Sequence, residues 1–189
     1  MINMTPQINF QSKYKFVPKR ALRDFVETSD KQIKQVSNLG SSYAFIGGDH
    51  LAYTDSAASC VIYGLNDTKS KSGILGHYNK YPNMILDILR SDLDFKGRGF
   101  IVGGNRYCED VFYKKTLEEY NKKDIKTTIF YGQNEILNTS DVLFDRPNDT
   151  VYIGTSEKLE NLEDIKRYYN VVKVADGDEI YIKDKKIDL

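Results

Sequence analysis

Residues 42–78 read SYAFIGGDHLAYTDSAASCVIYGLNDTKSKSGILGHY, and this stretch decides the fold. Short β-rich runs occur at 42–47 (SYAFIG), 51–54 (LAYT), 59–63 (SCVIY) and 72–78 (SGILGHY). Gly, Asn, Asp or Ser bound most of them, as expected for strands joined by turns. The polar segment 64–72 (GLNDTKSKS) reads as a connector, which places Cys60 and His77 on neighbouring antiparallel strands. Outward from there, 98–103 (RGFIVG), 126–131 (KTTIFY), 141–144 (DVLF) and 150–154 (TVYIG) are further strand-like runs. Two amphipathic helices interrupt them, at 82–92 with Met84, Ile85, Ile88 and Leu89 on one face, and at 108–122. Residues 20–37 have broken helical spacing and predict a short helix or two, ended by Asn38 and Gly40. The tail predicts a charged helix near 156–168 and a hairpin turning at Asp176–Gly177. The expected class is α+β: a sheet-rich, β-sandwich-like core of mostly antiparallel strands flanked by helices. The expected organisation is an N-terminal extension (1–41), a core (42–155) and a C-terminal extension (156–189) packed on that core.

Composition bounds the function. The chain has 189 residues, enough for one well-buried domain. Lys plus Arg and Asp plus Glu are 27 each, and this zero balance argues against a general nucleic-acid binder. No apolar run reaches the length of a membrane span, so no membrane insertion is expected. The two cysteines, Cys60 and Cys108, make no disulfide framework and lack the spacing of a zinc site, and two histidines leave little for a metal. The first 23 residues are basic and free of acid, yet they lack the apolar core of a secretory signal. They read as a solvated lead-in pinned by Phe10, Tyr14, Phe16 and Val17. With no signal and free thiols, the expected location is the cytoplasm.

The segment Thr54-Asp55-Ser56-Ala57-Ala58-Ser59-Cys60, followed 17 residues later by His77, holds the candidate chemistry. A cysteine attacks as its thiolate. A histidine in reach can take the proton and return it to a leaving group. A third polar group fixes the imidazole tautomer. Cys60, His77 and Thr54 are the types those three roles need, and small residues before Cys60 suit a tight turn with exposed N–H groups. The alternative is that Cys60 is small core filler, the commoner fate of a strand cysteine. Elsewhere the plainer readings are preferred: His50 as a turn residue after Gly47-Gly48-Asp49, Cys108 as a packed thiol, Gly103-Gly104-Asn105 as a strand end near the site, Asp55 and Asn79 as solvated flanks.

These residues resemble the chemoreceptor glutamine deamidases of bacterial chemotaxis, the CheD family. That family has a Thr six residues before the Cys of a glycine-rich turn ending in Gly-Ser-Cys, then a strand, a polar connector, and a strand ending in His 17 residues after the Cys, with a Pro nearby. Here these are Thr54, Ser59-Cys60, His77 and Pro82. FIVGGN (100–105), the helix from Cys108, KTTIFYG (126–132) and DTVYIGT (149–155) follow in the family's order, so the resemblance covers residues 42–155. The family's turn is glycine-rich, whereas this one reads Asp-Ser-Ala-Ala-Ser; positive φ at Ala57 or Ala58 would cost about 1–2 kcal/mol each. The resemblance implies a protein-glutamine deamidase, similar in site design to the cytotoxic necrotizing factor toxins. Cys60 would be the nucleophile, His77 the base and acid, Thr54 its orienting group, and Ala58 and Ser59 the source of oxyanion-binding N–H groups. It implies no metal or organic cofactor, and a partner that is a protein bearing a reactive Gln, such as chemoreceptor-like helices. Two other functions remain open at this level. One is a weak or inactive binding module of the same fold, regulating a signalling or receptor protein. The other is an effector-type deamidase of a host protein.

Overall fold

The computed structural model describes residues 14–57, 60–78, 83–91, 96–103, 110–131, 140–155, 170–174 and 178–182. Strand β1 (Tyr14–Pro18) leads directly into helix α1 (Lys19–Thr28), with Pro18 at the junction at φ −56. That angle is what a pyrrolidine ring imposes, and it suits the start of a helix. Strands β2 (Ile33–Gln35), β3 (Ser42–Gly47), β4 (Leu51–Ala57), β5 (Val61–Asp67) and β6 (Ser72–Tyr78) follow. Then come α2 (Asn83–Arg90), β7 (Gly97–Gly103), α3 (Asp110–Lys122), β8 (Lys126–Tyr131), β9 (Ser140–Asp145), β10 (Thr150–Thr155), β11 (Asn170–Val174) and β12 (Asp178–Ile182).

Among the described residues the strands form two mixed sheets, β1-β10-β9-β4-β2 and β11-β12-β8-β7-β5-β6-β3. The sheet-rich α+β architecture expected from the sequence is the one the chain adopts. Parallel pairing is more prominent than expected: β1 with β10, β2 with β4, β7 with β8, and β8 with β12 all run parallel.

The alternation of side chains along each strand builds the layers. Ala52 of β4, Val142 and Phe144 of β9, and Ile153 of β10 share one apolar cluster with Ile62 of β5, Leu75 of β6 and Phe100 of β7. The two sheets therefore face each other across this cluster. On the far side of the first sheet, Leu22 of α1 packs against Leu51, Tyr53 and Leu143. On the far side of the second, Ile85 and Leu89 of α2 and Tyr120 of α3 pack against Val61, Tyr63, Ile101 and Ile129. The order is helix, sheet, sheet, helices. Gly64 makes the middle of the sandwich possible. A Cβ there would lie 1.9 Å from the Phe100 ring, which covers the β5 backbone and meets Phe144 edge-on at 5.3 Å.

Several sequence expectations are corrected. Residues 20–37 hold one helix and a strand, because the chain leaves α1 extended at Ser29 and β2 then finds β4 as a parallel partner. The basic lead-in contains a full strand: β1 pairs with β10, with Tyr14 and Phe16 buried between the sheets. The polar connector shrinks to the four residues 68–71, since β5 continues to Asp67 between β6 and β7. Asn66 and Asp67 are polar but buried there, and Asp67 Oδ1 accepts the N–H groups of Lys69 and Lys96 at 3.0 and 3.2 Å to close the turn. The expected hairpin is β11–β12, and β12 also extends the second sheet beside β8. The charged helix near 156–168 and the turn at Asp176–Gly177 lie outside the described residues. Among the described residues no helix is long and apolar enough to cross a membrane.

Candidate active site

Thr54 and His77 come from different sheets and meet between them. On β4, Ala52 points into the inter-sheet cluster and Tyr53 toward α1, so Thr54 points inward again. On β6, Leu75 points inward, and so does His77 two residues on. The result is a contact of 2.8 Å between Thr54 Oγ1 and His77 Nδ1. Both residues are buried, Thr54 at 1% and His77 at 0% exposure. Burial lowers the His77 pKa below its ordinary 6.5, and the negative charge of Asp55 works against that shift. The imidazole is therefore neutral at neutral pH, the state in which it can accept a proton. Its second nitrogen, Nε2, is buried and meets no hydrogen-bond partner among the described residues.

Cys60 stands immediately before β5, half-buried, and packs against the inter-sheet cluster. Ile62 pairs with His77, so Cys60 is the diagonal neighbour of His77 on the same face. Such neighbours lie about 7–8 Å apart along the backbone, within reach of longer side chains. Sγ does not hydrogen-bond to Nε2 in this structure. The expectation that Cys60 and His77 lie on neighbouring antiparallel strands matches the β5–β6 pairing, with Cys60 at the strand's entrance. Gly103, at the end of β7 with φ +93, pairs with Val61, and a Cβ there would lie 3.0 Å from Cys60 O. The β7 end thus abuts the Cys60 backbone. Ala58 and Ser59, and likewise Asn79, Pro82, Gly104, Asn105 and Cys108, lie outside the described residues.

The backbone ahead of Cys60 is shaped by a β-bulge. Thr54 pairs with Val142 and Ala57 with Ser140, so Asp55 and Ser56 together oppose Asp141. Among the described residues of this turn the positive φ falls on Ser56, at 55°, and not on Ala57. The extra residue returns Ala57 to the inward face, where it is fully buried. Asp55 is half-buried at the rim and accepts a hydrogen bond of 2.6 Å from Asn38 Nδ2.

His50 sits at the opposite end of β4, in the turn that joins β3 to β4, its N–H donating to Gly47 O at 3.3 Å. It is a turn residue, remote from Thr54. Among the described residues no three His, Cys, Asp or Glu side chains converge where they could hold a metal ion.

Sequence reading missed a polar cluster behind the bulge. Asp141, fully buried, accepts from Arg23 Nε at 2.7 Å and Arg23 Nη2 at 3.2 Å, from Tyr53 OH at 3.3 Å and from the Ser56 N–H at 3.0 Å. The bond and charge of Asp141 raise the Arg23 pKa further. Burial, aided by the same carboxylate, pushes the Tyr53 phenol up. Arg23 and Asp141 are 118 positions apart, and no periodic pattern links them. The available signal was an aspartate directly ahead of the apolar run Val142-Leu143-Phe144. No family model matches the chain, and no curated protein sequence matches it.

Proposed function

We propose that the protein is a thiol-dependent hydrolase, best read as a protein-glutamine deamidase of CheD-like design, with Cys60 as nucleophile. The observation that carries this reading is the inter-sheet contact of Thr54 Oγ1 with His77 Nδ1 at 2.8 Å, with Nε2 buried and unpartnered among the described residues. With Nδ1–H donating to Thr54 Oγ1, the lone pair sits on Nε2 and is available to accept a proton. His77 takes the Cys60 proton as the thiolate attacks the carboxamide carbon of a substrate Gln, forming the C–S bond. In this reading the backbone N–H groups of Ala58 and Ser59 hold the oxyanion. His77 returns the proton to nitrogen, the C–N bond breaks, and ammonia leaves a thioester. His77 then deprotonates water, whose oxygen displaces Cys60, and the product is Glu with the thiol restored. A thiol of this kind belongs in the reducing cytoplasm, and the partner is a protein with an accessible Gln, chemoreceptor-like helices being the first to test.

The test is the pH dependence of iodoacetamide alkylation at Cys60, followed by mass spectrometry, with Cys108 as internal reference. Cys60 should react below an ordinary thiol pKa of about 8.5, and His77→Ala should abolish that advantage. With purified receptor helices as substrate, His77→Ala should lower ammonia release by about 10²–10⁴-fold and Cys60→Ala should end it. Equal reactivity of Cys60 in both proteins would overturn the mechanism and leave the binding-module reading.

A further inference from the structure

We infer that Asp141, clamped by Arg23, is a positioning residue for this site: it holds the β4 bulge that sets the height of Thr54 and delivers the chain to Cys60. The inference rests on the deamidase reading of Cys60 and His77. Its basis is geometric. A bulge leaves ladder groups unpaired, and here the Ser56 N–H is taken by Asp141 Oδ1 at 3.0 Å. Asp141 is the residue directly opposite the bulge, since Val142 pairs with Thr54 and Ser140 with Ala57. Its other oxygen receives Tyr53 OH at 3.3 Å, so one carboxylate grips β4 on both sides of Thr54.

The carboxylate is fully satisfied and fully enclosed. Arg23 supplies a two-pronged contact, Nε to Oδ2 and Nη2 to Oδ1, from the outer surface of α1. Its side chain is 46% exposed while that of Asp141 is 0% exposed, so the guanidinium closes the cluster from the solvent side. This pair lies on the α1 face of the first sheet and Thr54 on the opposite face, so neither charge touches the reacting groups. They act through the backbone of β4. A shift of the bulge would lengthen the Thr54–His77 bond and move Nε2 with it. Misplacement of about 1 Å is enough to cost on the order of a hundredfold in rate.

The experiment is the same Cys60 alkylation profile across pH, read in the full chain for the unaltered protein, His77→Ala, Asp141→Asn, Arg23→Met, Arg23→Lys and Asp149→Asn. The last is a stability control, because Asp149 sits in an ion pair with Arg98, remote from Cys60. Asp141→Asn and Arg23→Met should reduce the His77-dependent reactivity by about tenfold to a hundredfold. Arg23→Lys, which keeps the charge, should recover part of the loss. Asp149→Asn should lower the melting temperature and leave the profile in place. If Asp141→Asn does not fold, Arg23→Met decides, since it removes only the half-exposed partner. Unchanged profiles in the Asp141 and Arg23 variants would overturn the inference while leaving the deamidase reading intact. Losses that follow melting temperature in every variant, the Asp149 control included, would reduce the cluster to a structural tie and overturn it too. No difference between the unaltered protein and His77→Ala would sink the deamidase reading, and the inference with it.

Discussion

The two ends of the sandwich each bridge the sheets with polar groups, but with different chemistry. At one end Thr54 and His77 meet as neutral partners across the gap, at 2.8 Å. At the other, about 13 Å along β5 from Ile62 to Asn66, Arg98 and Asp149 form an ion pair of 3.0 Å. Asn66 Nδ2 also donates to Asp149, and the Arg98 guanidinium lies 5.8 Å from the centre of the Tyr14 ring. Both ends leave a buried polar atom without a partner among the described residues: His77 Nε2 at one, Arg98 Nε and Asn66 Oδ1 at the other. The difference is what those atoms can do. A guanidinium and an amide keep their protons across the physiological range, so the Arg98 end only holds the sheets together. A buried imidazole, its pKa lowered by burial, is neutral at neutral pH and can accept a proton there. Charge pairing makes one end a rivet, and its absence leaves the other open to chemistry.

The comparison can be broken most forcefully at the rivet. Asp149→Asn keeps the shape and the left-handed backbone at φ 50, which Asn tolerates, but leaves Arg98 without its counter-charge. Because both side chains are partly exposed, the expected loss is about 2 kcal/mol, below that of a fully buried pair. Urea unfolding should record it, while Cys60 alkylation stays as before. An unchanged midpoint would mean that the ion pair contributes nothing and the contrast between the ends is empty.

A smaller effect should appear at the other end. Thr54→Val preserves volume but strips Nδ1 of its partner in a dry site, at about 1–2 kcal/mol. Unlike the Asp149 change, it should also lower Cys60 reactivity, and Thr54→Ser should restore both. Stability loss without any change in reactivity would make the Thr54–His77 bond a second rivet.

The smallest effect is a pH dependence. The folded-state pKa of His77 is depressed, so the unfolded chain binds more protons between that value and about 6.5. The stabilisation is complete above about pH 6.5 and is lost as pH falls through the folded pKa, with a slope no steeper than about 1.4 kcal/mol per pH unit. His77→Gln should flatten this part of the profile, measured by urea titrations at about pH 7.5 and about pH 5.5. A slope that survives the substitution would assign the acid sensitivity to other groups.

Much of the strand inventory was legible. β3, β6 and β8 occupy the stretches read from the sequence, and β7, β9, β10, α2 and the described part of α3 differ by a few residues at their ends. Alternating apolar residues bounded by Gly, Asn, Asp and Ser carry that information locally. The strands that were missed are those whose reason is a neighbour. β1 is a strand because β10 lies beside it, and β2 because β4 does. The polar second half of β5 is a strand because two others flank it.

The same division runs through the candidate site. Residue types and spacing picked out Thr54, Cys60 and His77, since a hydroxyl, a thiol and an imidazole are chemical identities written in the chain. The polar connector also put Cys60 and His77 on neighbouring antiparallel strands, and the β5–β6 register of the folded chain then set them on one face. Only the tertiary structure brought Thr54 to His77, since that contact crosses from one sheet to the other. It alone decided that Ser56 is the left-handed residue among those described in the turn, because the bulge exists only where β4 meets β9. And it alone joined Arg23 to Asp141, 118 positions apart, since a buried carboxylate takes whatever donor the fold carries to it.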